Sequence, residues 1–140
     1  MLIHILFNIE YGASGGGNNF LASLKDYFIA NDLYSNSIVN ADVILFNSHQ
    51  CYKSVLQSKI KYPQKLFIHR IDGPMRLYNN FSDQRDLIVN IMNKYISDGT
   101  IFQSEWSREN NLKMGILRNI NEAIIINCPN TEIFCKKNKV

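Results

Sequence analysis

The sequence predicts an α/β fold: a mainly parallel sheet of about five or six strands with helices on both faces. Three observations carry this. Short apolar runs alternate along the chain with longer segments whose apolar residues recur at helical spacing. A glycine-rich turn, Gly12 to Gly17, separates the first run from the first helical segment, as in the opening of a mononucleotide-binding unit. The run Lys65-Leu66-Phe67-Ile68 passes abruptly into His69-Arg70-Ile71-Asp72-Gly73-Pro74, an apolar strand that ends in a polar loop closed by Gly-Pro. The fold class is therefore Rossmann-like, and ligands of such sheets collect at the carboxyl ends of the strands.

The elements follow in order. Leu2 to Ile9 is mostly apolar, the pattern of a central strand buried on both faces. Phe20, Leu21, Leu24, Tyr27 and Phe28 mark a helix to about Asn31. Residues 32–40 are polar and short, so a second strand is absent or rudimentary there. Val43 to Phe46 is the next strand, and Ser48 is placed to cap a helix running to about Ile60. Tyr62-Pro63-Gln64 breaks the chain before the strand Leu66 to His69. Leu77 to Ser82 reads as a polar loop. Leu87, Ile88, Ile91, Met92 and Tyr95 then form a helical stripe, with Ser82 or Asp83 as its cap. Gly99 to Gln103 is a short strand. Ser104 and Glu105 start a helix, with a hydroxyl cap and a carboxylate at its positive end, and the helix fades near Gly115. Trp106 reads as its core anchor. Ala123 to Ile126 is the last strand, closed by Asn127-Cys128-Pro129. Residues 1–135 form the predicted domain, and 136–140 read as a basic linker or tail.

Composition narrows the classes. The 140 residues suit one domain, 46% are hydrophobic and the formal net charge is +3. The lysines and arginines are scattered, which argues against a nucleic-acid partner. No apolar run is long enough for a transmembrane segment. Met1 to Ile9 lacks the basic start and the cleavage site of a signal peptide. Cys51, Cys128 and Cys135 are odd in number and lack C-x-x-C spacing, and His4, His49 and His69 are far apart. The sequence thus predicts no metal, no cofactor, and a reduced, cytoplasmic setting.

The glycine turn fails two known patterns. Gly12 and Gly17 have P-loop spacing, but Asn18 and Asn19 stand where Lys and Ser/Thr are needed, so an NTPase is rejected. A dinucleotide fingerprint on Gly15 and Gly17 needs a small residue where Phe20 stands. Gly12-Ala13-Ser14-Gly15-Gly16 matches the nucleophile elbow, which leaves a serine hydrolase using Ser14 as a remote alternative; no earlier strand is present to supply its oxyanion loop. The simpler reading is that Gly15, Gly16 and Gly17 let a ligand approach the backbone and the helix amides from Asn18 onward, a site that favours an anion such as a diphosphate. The plain alternative is a glycine-rich turn without a ligand. His69 reads as a ligand-contacting group at a strand end, against the alternative of a hydrogen-bonded core histidine. Arg70 and Asp72 either face the ligand or brace the loop by pairing with each other. Ser104 alone reads as a cap.

Five stretches together carry a family likeness: Gly15 to Gly17 after the first strand, Ala41 to Ser48, His69 to Pro74, Ser97 to Ser107, and Ile126 to Phe134. In this order they resemble the N-terminal half of retaining glycosyltransferases of the GT-B fold, family 4, the "glycosyl transferases group 1". The resemblance implies transfer of a sugar from a nucleotide-sugar donor to a hydroxyl acceptor, in a cleft between two Rossmann-like domains, with no required metal. It implies that Gly15, Gly16 and Gly17 face donor diphosphate and acceptor; Asn18 at the helix start and Arg70 and Asp72 at the strand end are the binding residues read beside them. It implies that His69 is the catalytic-site residue near the transferred sugar, that Gln103 and Ser104 end a cleft-lining strand, and that Asn127 begins the crossover to the second domain. The chain departs from the family in having Asn127-Cys128-Pro129-Asn130 where Asn-Gly-Val-Asp is usual, and no two of its glutamates have Glu-x7-Glu spacing. The expectation is an acceptor-side domain, inactive alone, whose C-terminal nucleotide-sugar domain is absent or on a separate chain. The rival is a non-catalytic Rossmann-like module that binds a nucleotide or a partner.

Overall fold

A computed structural model describes residues 1–12, 15–80, 82–116 and 121–127. Five apolar runs form the strands β1 (Ile3–Ile5), β2 (Val43–Asn47), β3 (Leu66–Ile71), β4 (Gly99–Phe102) and β5 (Glu122–Ile124). They pair in parallel in the order β1-β2-β3-β4-β5. The helices are α1 (Gly16–Ala30), α2 (Tyr52–Lys61), the single-turn α3 (Met75–Tyr78), α4 (Arg85–Tyr95) and α5 (Glu105–Lys113). This is a Rossmann-like α/β architecture.

The rudimentary strand is a single bridge. Tyr34 pairs in parallel with Ile3 on the side of β1 away from β2, held by Ile3 N–H to Leu33 O at 2.8 Å and Ser35 N–H to Ile3 O at 2.9 Å. The chain thus leaves β1 in one direction and returns to β2 on the other side. That reversal creates a switch point between the carboxyl ends of β1 and β2, where such sheets open a crevice. Crossovers of one hand then put α1 on one face and later helices on the other.

The two faces have different cores. Leu21, fully buried, packs with Phe20, Leu24 and Phe28 of α1 on Ile5, Leu45, Ile68 and Ile101. On the opposite face Val55 of α2 and Met92 and Ile96 of α4 pack on Ile44, Phe46 and Phe67. Strand residues alternate between the faces, so Ile68 and Arg70 turn toward α1, whereas Phe67, His69 and Ile71 turn toward α4. α5 is tied to β5 by Arg108, whose Nε and Nη2 donate to Glu122 Oε1 at 3.0 and 2.6 Å.

Several local expectations are corrected. β1 is only three residues long. α1 begins at Gly16, so Gly16 and Gly17 lie in its first turn. Ser48 does not cap α2; Ser48 and Cys51 both take positive φ, and the Ser48 hydroxyl is spent on Asp72. Residues 75–78 are helical, because Asp86 accepts the amides of Met75 and Arg76 at 2.8 and 2.9 Å. On α4 the inward residues are Val89, Met92, Asn93 and Ile96, while Leu87, Ile91 and Tyr95 are exposed. Trp106 is half-exposed rather than core, and it leans on Tyr78 with ring centroids 5.9 Å apart. The tail, with Cys128 and Cys135, and Ser14 lie outside the described residues.

Candidate functional site

Arg70 organises the crevice. Its side chain is 1% exposed, and every Nη proton is spent on the protein itself. Nη1 donates to Asn47 Oδ1 at 2.5 Å and to Asp72 Oδ1 at 2.6 Å. Nη2 donates to Gln103 Oε1 at 3.2 Å and Asn127 Oδ1 at 2.9 Å. Asn47 ends β2, and Asp72, Gln103 and Asn127 follow β3, β4 and β5, so one guanidinium ties four strand ends together. Phe20 of α1 lies over it at 4.7 Å. That contact explains the large residue where a dinucleotide fingerprint needs a small one. Among the described residues Arg70 Nε has no hydrogen-bond partner.

Asp72 is the carboxylate of the cluster. Its Oδ1 faces Arg70, while Oδ2 accepts from Asn47 Nδ2 and Ser48 Oγ, both at 3.0 Å. Ser48 Oγ also accepts the Asp72 amide at 3.1 Å. A buried ion pair with this many hydrogen bonds holds its geometry well, since removing one partner strands the other charge.

The glycines reach the same place. A Cβ placed on Gly17 would lie 3.6 Å from Asp72 Oδ2, 3.8 Å from Arg70 Nη1 and 3.8 Å from Asn47 Nδ2. On Gly15 or Gly16 it would meet nothing within 4 Å, and neither has a positive φ. Packing therefore does not require glycine at 15 or 16; small residues there leave the start of α1 open. Among the described residues no side chain caps α1, and no acidic residue lies in its first turn, so the amides of Gly16 and Gly17 at its positive end suit an acceptor oxygen. Asn18 serves the loop rather than a ligand. Its side chain accepts the Glu10 amide at 2.8 Å and donates to Glu10 O at 2.6 Å, closing the glycine loop on itself.

His69 is separated from this crevice. It is fully buried on the α4 face, stacked on Phe46 at 4.4 Å, with Nε2 2.9 Å from Ser48 O and Nδ1 3.3 Å from Asn93 Oδ1. Burial pushes its pKa down to about 4, partly offset by those hydrogen bonds. The expected contact between His69 and a sugar is therefore corrected: strand parity turns the imidazole away from the glycines, and no solvent reaches it. Ser104 caps α5, accepting the Ser107 amide at 3.0 Å. Gln103 and Asn127 do reach the crevice, joined by Asn127 Nδ2 to Gln103 Oε1 at 3.2 Å.

Neither a protein-family model, nor a curated protein, nor a solved structure matches this chain. The site's own chemistry is what remains. Asn47 escapes sequence reasoning because it reads as the end of an apolar strand. His49 escapes it because nothing in the sequence places it; it lines a cavity of about 440 Å³ with Phe7, Asn8, Gln50, Cys51, Tyr52 and Ile88. Its Nδ1 is buried without a hydrogen-bond partner among the described residues, and burial, then Arg85, lower its pKa. Among the described residues no cluster of His, Cys, Asp or Glu is arranged for a metal, and no helix is long and apolar enough to cross a membrane.

Proposed function

We infer that this chain is the acceptor-side domain of a sugar transferase of the GT-B kind. The observation that carries the reading is the meeting of α1's open N-terminus with the Arg70–Asp72 cluster at the carboxyl edge of the sheet, beside the switch point. The crevice offers the α1 amides at Gly16 and Gly17, the part-exposed carboxylate of Asp72, and the half-buried edge of Gln103 and Asn127. This donor–acceptor mixture suits the hydroxyls of a sugar or other polyol. It is poor for a diphosphate alone, because Arg70 has spent its Nη donors within the chain. Neutralising a leaving nucleoside diphosphate falls to cations of a second domain, as the resemblance implies.

In the implied reaction the acceptor hydroxyl attacks the anomeric carbon, the bond from that carbon to the diphosphate oxygen breaks, and the hydroxyl proton passes to the departing oxygen. The α1 amides and Asp72 fix the reactants, and His69 has only a structural role. Calorimetry with the purified chain tests this. Nucleoside diphosphates alone give little heat, and nucleotide sugars give no turnover. Tight binding of a nucleoside diphosphate would instead favour a stand-alone nucleotide module. Efficient transfer by this chain alone would contradict the need for a second domain.

A further inference from the structure

Two stripes of apolar residues lie exposed on the α2–α4 side of the sheet. On α2 they are Tyr52, Leu56 and Ile60, which are 41%, 48% and 72% exposed. On α4 they are Leu87, Ile91 and Tyr95, which are 49%, 47% and 68% exposed. Each set is spaced i, i+4, i+8, so each is a continuous line along its helix. Scattered exposed apolar residues are ordinary, but two aligned stripes on helices sharing one core are not.

The stripes adjoin. The other flank of α2, with Ser54, Gln57 and Lys61, lines the groove beside β1. Its Tyr52-Leu56-Ile60 flank therefore turns toward α4. Tyr52 and Ile88 of α4 line one cavity, and Lys59 of α2 bonds Asp98, just after α4, at 2.8 Å. The apolar lines thus border the seam between the two helices.

Asp98 is paired with Lys59 and Asp83 with Arg85, and the charge left unpaired beside the stripes is positive. Lys53 and Lys94 have no carboxylate partner among the described residues; each lies over a neighbouring tyrosine ring, at 5.9 and 4.8 Å. α2 contains no acidic residue. The single acid of α4, Asp86, is turned onto the amides of Met75 and Arg76. Apolar stripes, tyrosines near their ends and lysines around them match an interface with anionic lipid. A second copy of the chain would set lysine against lysine.

We propose that the α2–α4 face rests on the surface of an anionic bilayer, with the two stripes in the headgroup boundary and the lysine stems reaching back to lipid phosphates. Nothing in this depends on sugar transfer. The test is co-sedimentation with phosphatidylcholine vesicles, with and without phosphatidylglycerol. The chain pellets with the anionic vesicles and stays largely in solution with the neutral ones. Each of K53Q and K94Q weakens binding about fivefold. The pair L56Q and I91Q, whose exposed side chains leave the fold intact by circular dichroism, weakens it more than about tenfold. Equal binding to both vesicle types, no binding to either, or unchanged binding by these variants overturns the proposal. So does a concentration-dependent dimer that the same two substitutions abolish, because the stripes would then be a contact between copies.

Discussion

Replacing Gly17 with alanine separates a binding role for this position from a structural one. Gly17 lies in the first turn of α1, in helical backbone. The added methyl meets Asp72, Arg70 and Asn47 at 3.6–3.8 Å, ordinary contact that displaces nothing. Helical glycine costs about 0.5–1 kcal/mol relative to alanine. G17A should therefore raise the unfolding free energy in urea by about that amount. The same methyl occupies the floor of the crevice, between the α1 amides and the Asp72 carboxylate. A ligand seated there must shift, at about 1–3 kcal/mol, or tenfold or more in Kd. The assay pairs urea denaturation with titration of a sugar acceptor followed by NMR. A variant that is more stable and binds as well as the parent refutes the placement of ligand at Gly17. A variant that is less stable refutes the packing described around it.

Other consequences can be checked in the same way. His69 stays neutral in the folded chain down to about pH 4, whereas an unfolded imidazole protonates near 6.5; the unfolded state then binds the extra proton, so the His69 contribution is complete above pH 6.5 and is lost as pH falls toward 4, by roughly 3 kcal/mol. An imidazole NMR signal for His69 that titrates near 6.5 would contradict its burial. R70M should cost about 3–5 kcal/mol by stranding Asp72, and adding D72L should recover much of the loss in urea melts; additive losses would argue against a coupled pair. A Cβ on Gly73 falls 2.7 Å from both Trp106 and Tyr78, so G73A should displace those rings and change the emission of the chain's single tryptophan. Unchanged emission would mean that the two rings do not close over Gly73.

Much of the fold was legible because strand runs and turn residues coincide. Val43 to Phe46, Leu66 to Ile68 and Ile101 to Phe102 are apolar on both faces, as buried parallel strands are. That same property hid the orientation of His69. With Phe67 and Ile71 on its side and Ile68 on the side of Arg70, no polarity in the run decides which side meets α1. The helix α4 was legible, with Met92 and Ile88 on the core, but its inward side was not, for a related reason. Apolar residues cover two adjoining faces, and the buried one includes Asn93, whose Oδ1 accepts from Thr100 Oγ1 at 2.7 Å and stands 3.3 Å from His69 Nδ1. A polar residue satisfied inside the core is invisible to a hydrophobic period. The Arg70 cluster was legible only in part, since its partners are scattered from Asn47 to Asn127 and only the sheet brings them together.

Everything proposed about sugar transfer requires ligand at the carboxyl edge of the sheet, around the α1 N-terminus and the Arg70 cluster. Amide chemical-shift mapping of the isotope-labelled chain, during titration with sugars and nucleotide sugars, locates that ligand residue by residue. The expected shifts fall at Gly15, Gly16, Gly17, Ser48, Asp72 and Gln103. Shifts confined to the groove beside β1, at Tyr34, Ser54 and Gln57, or none at the highest soluble ligand concentration, would contradict it.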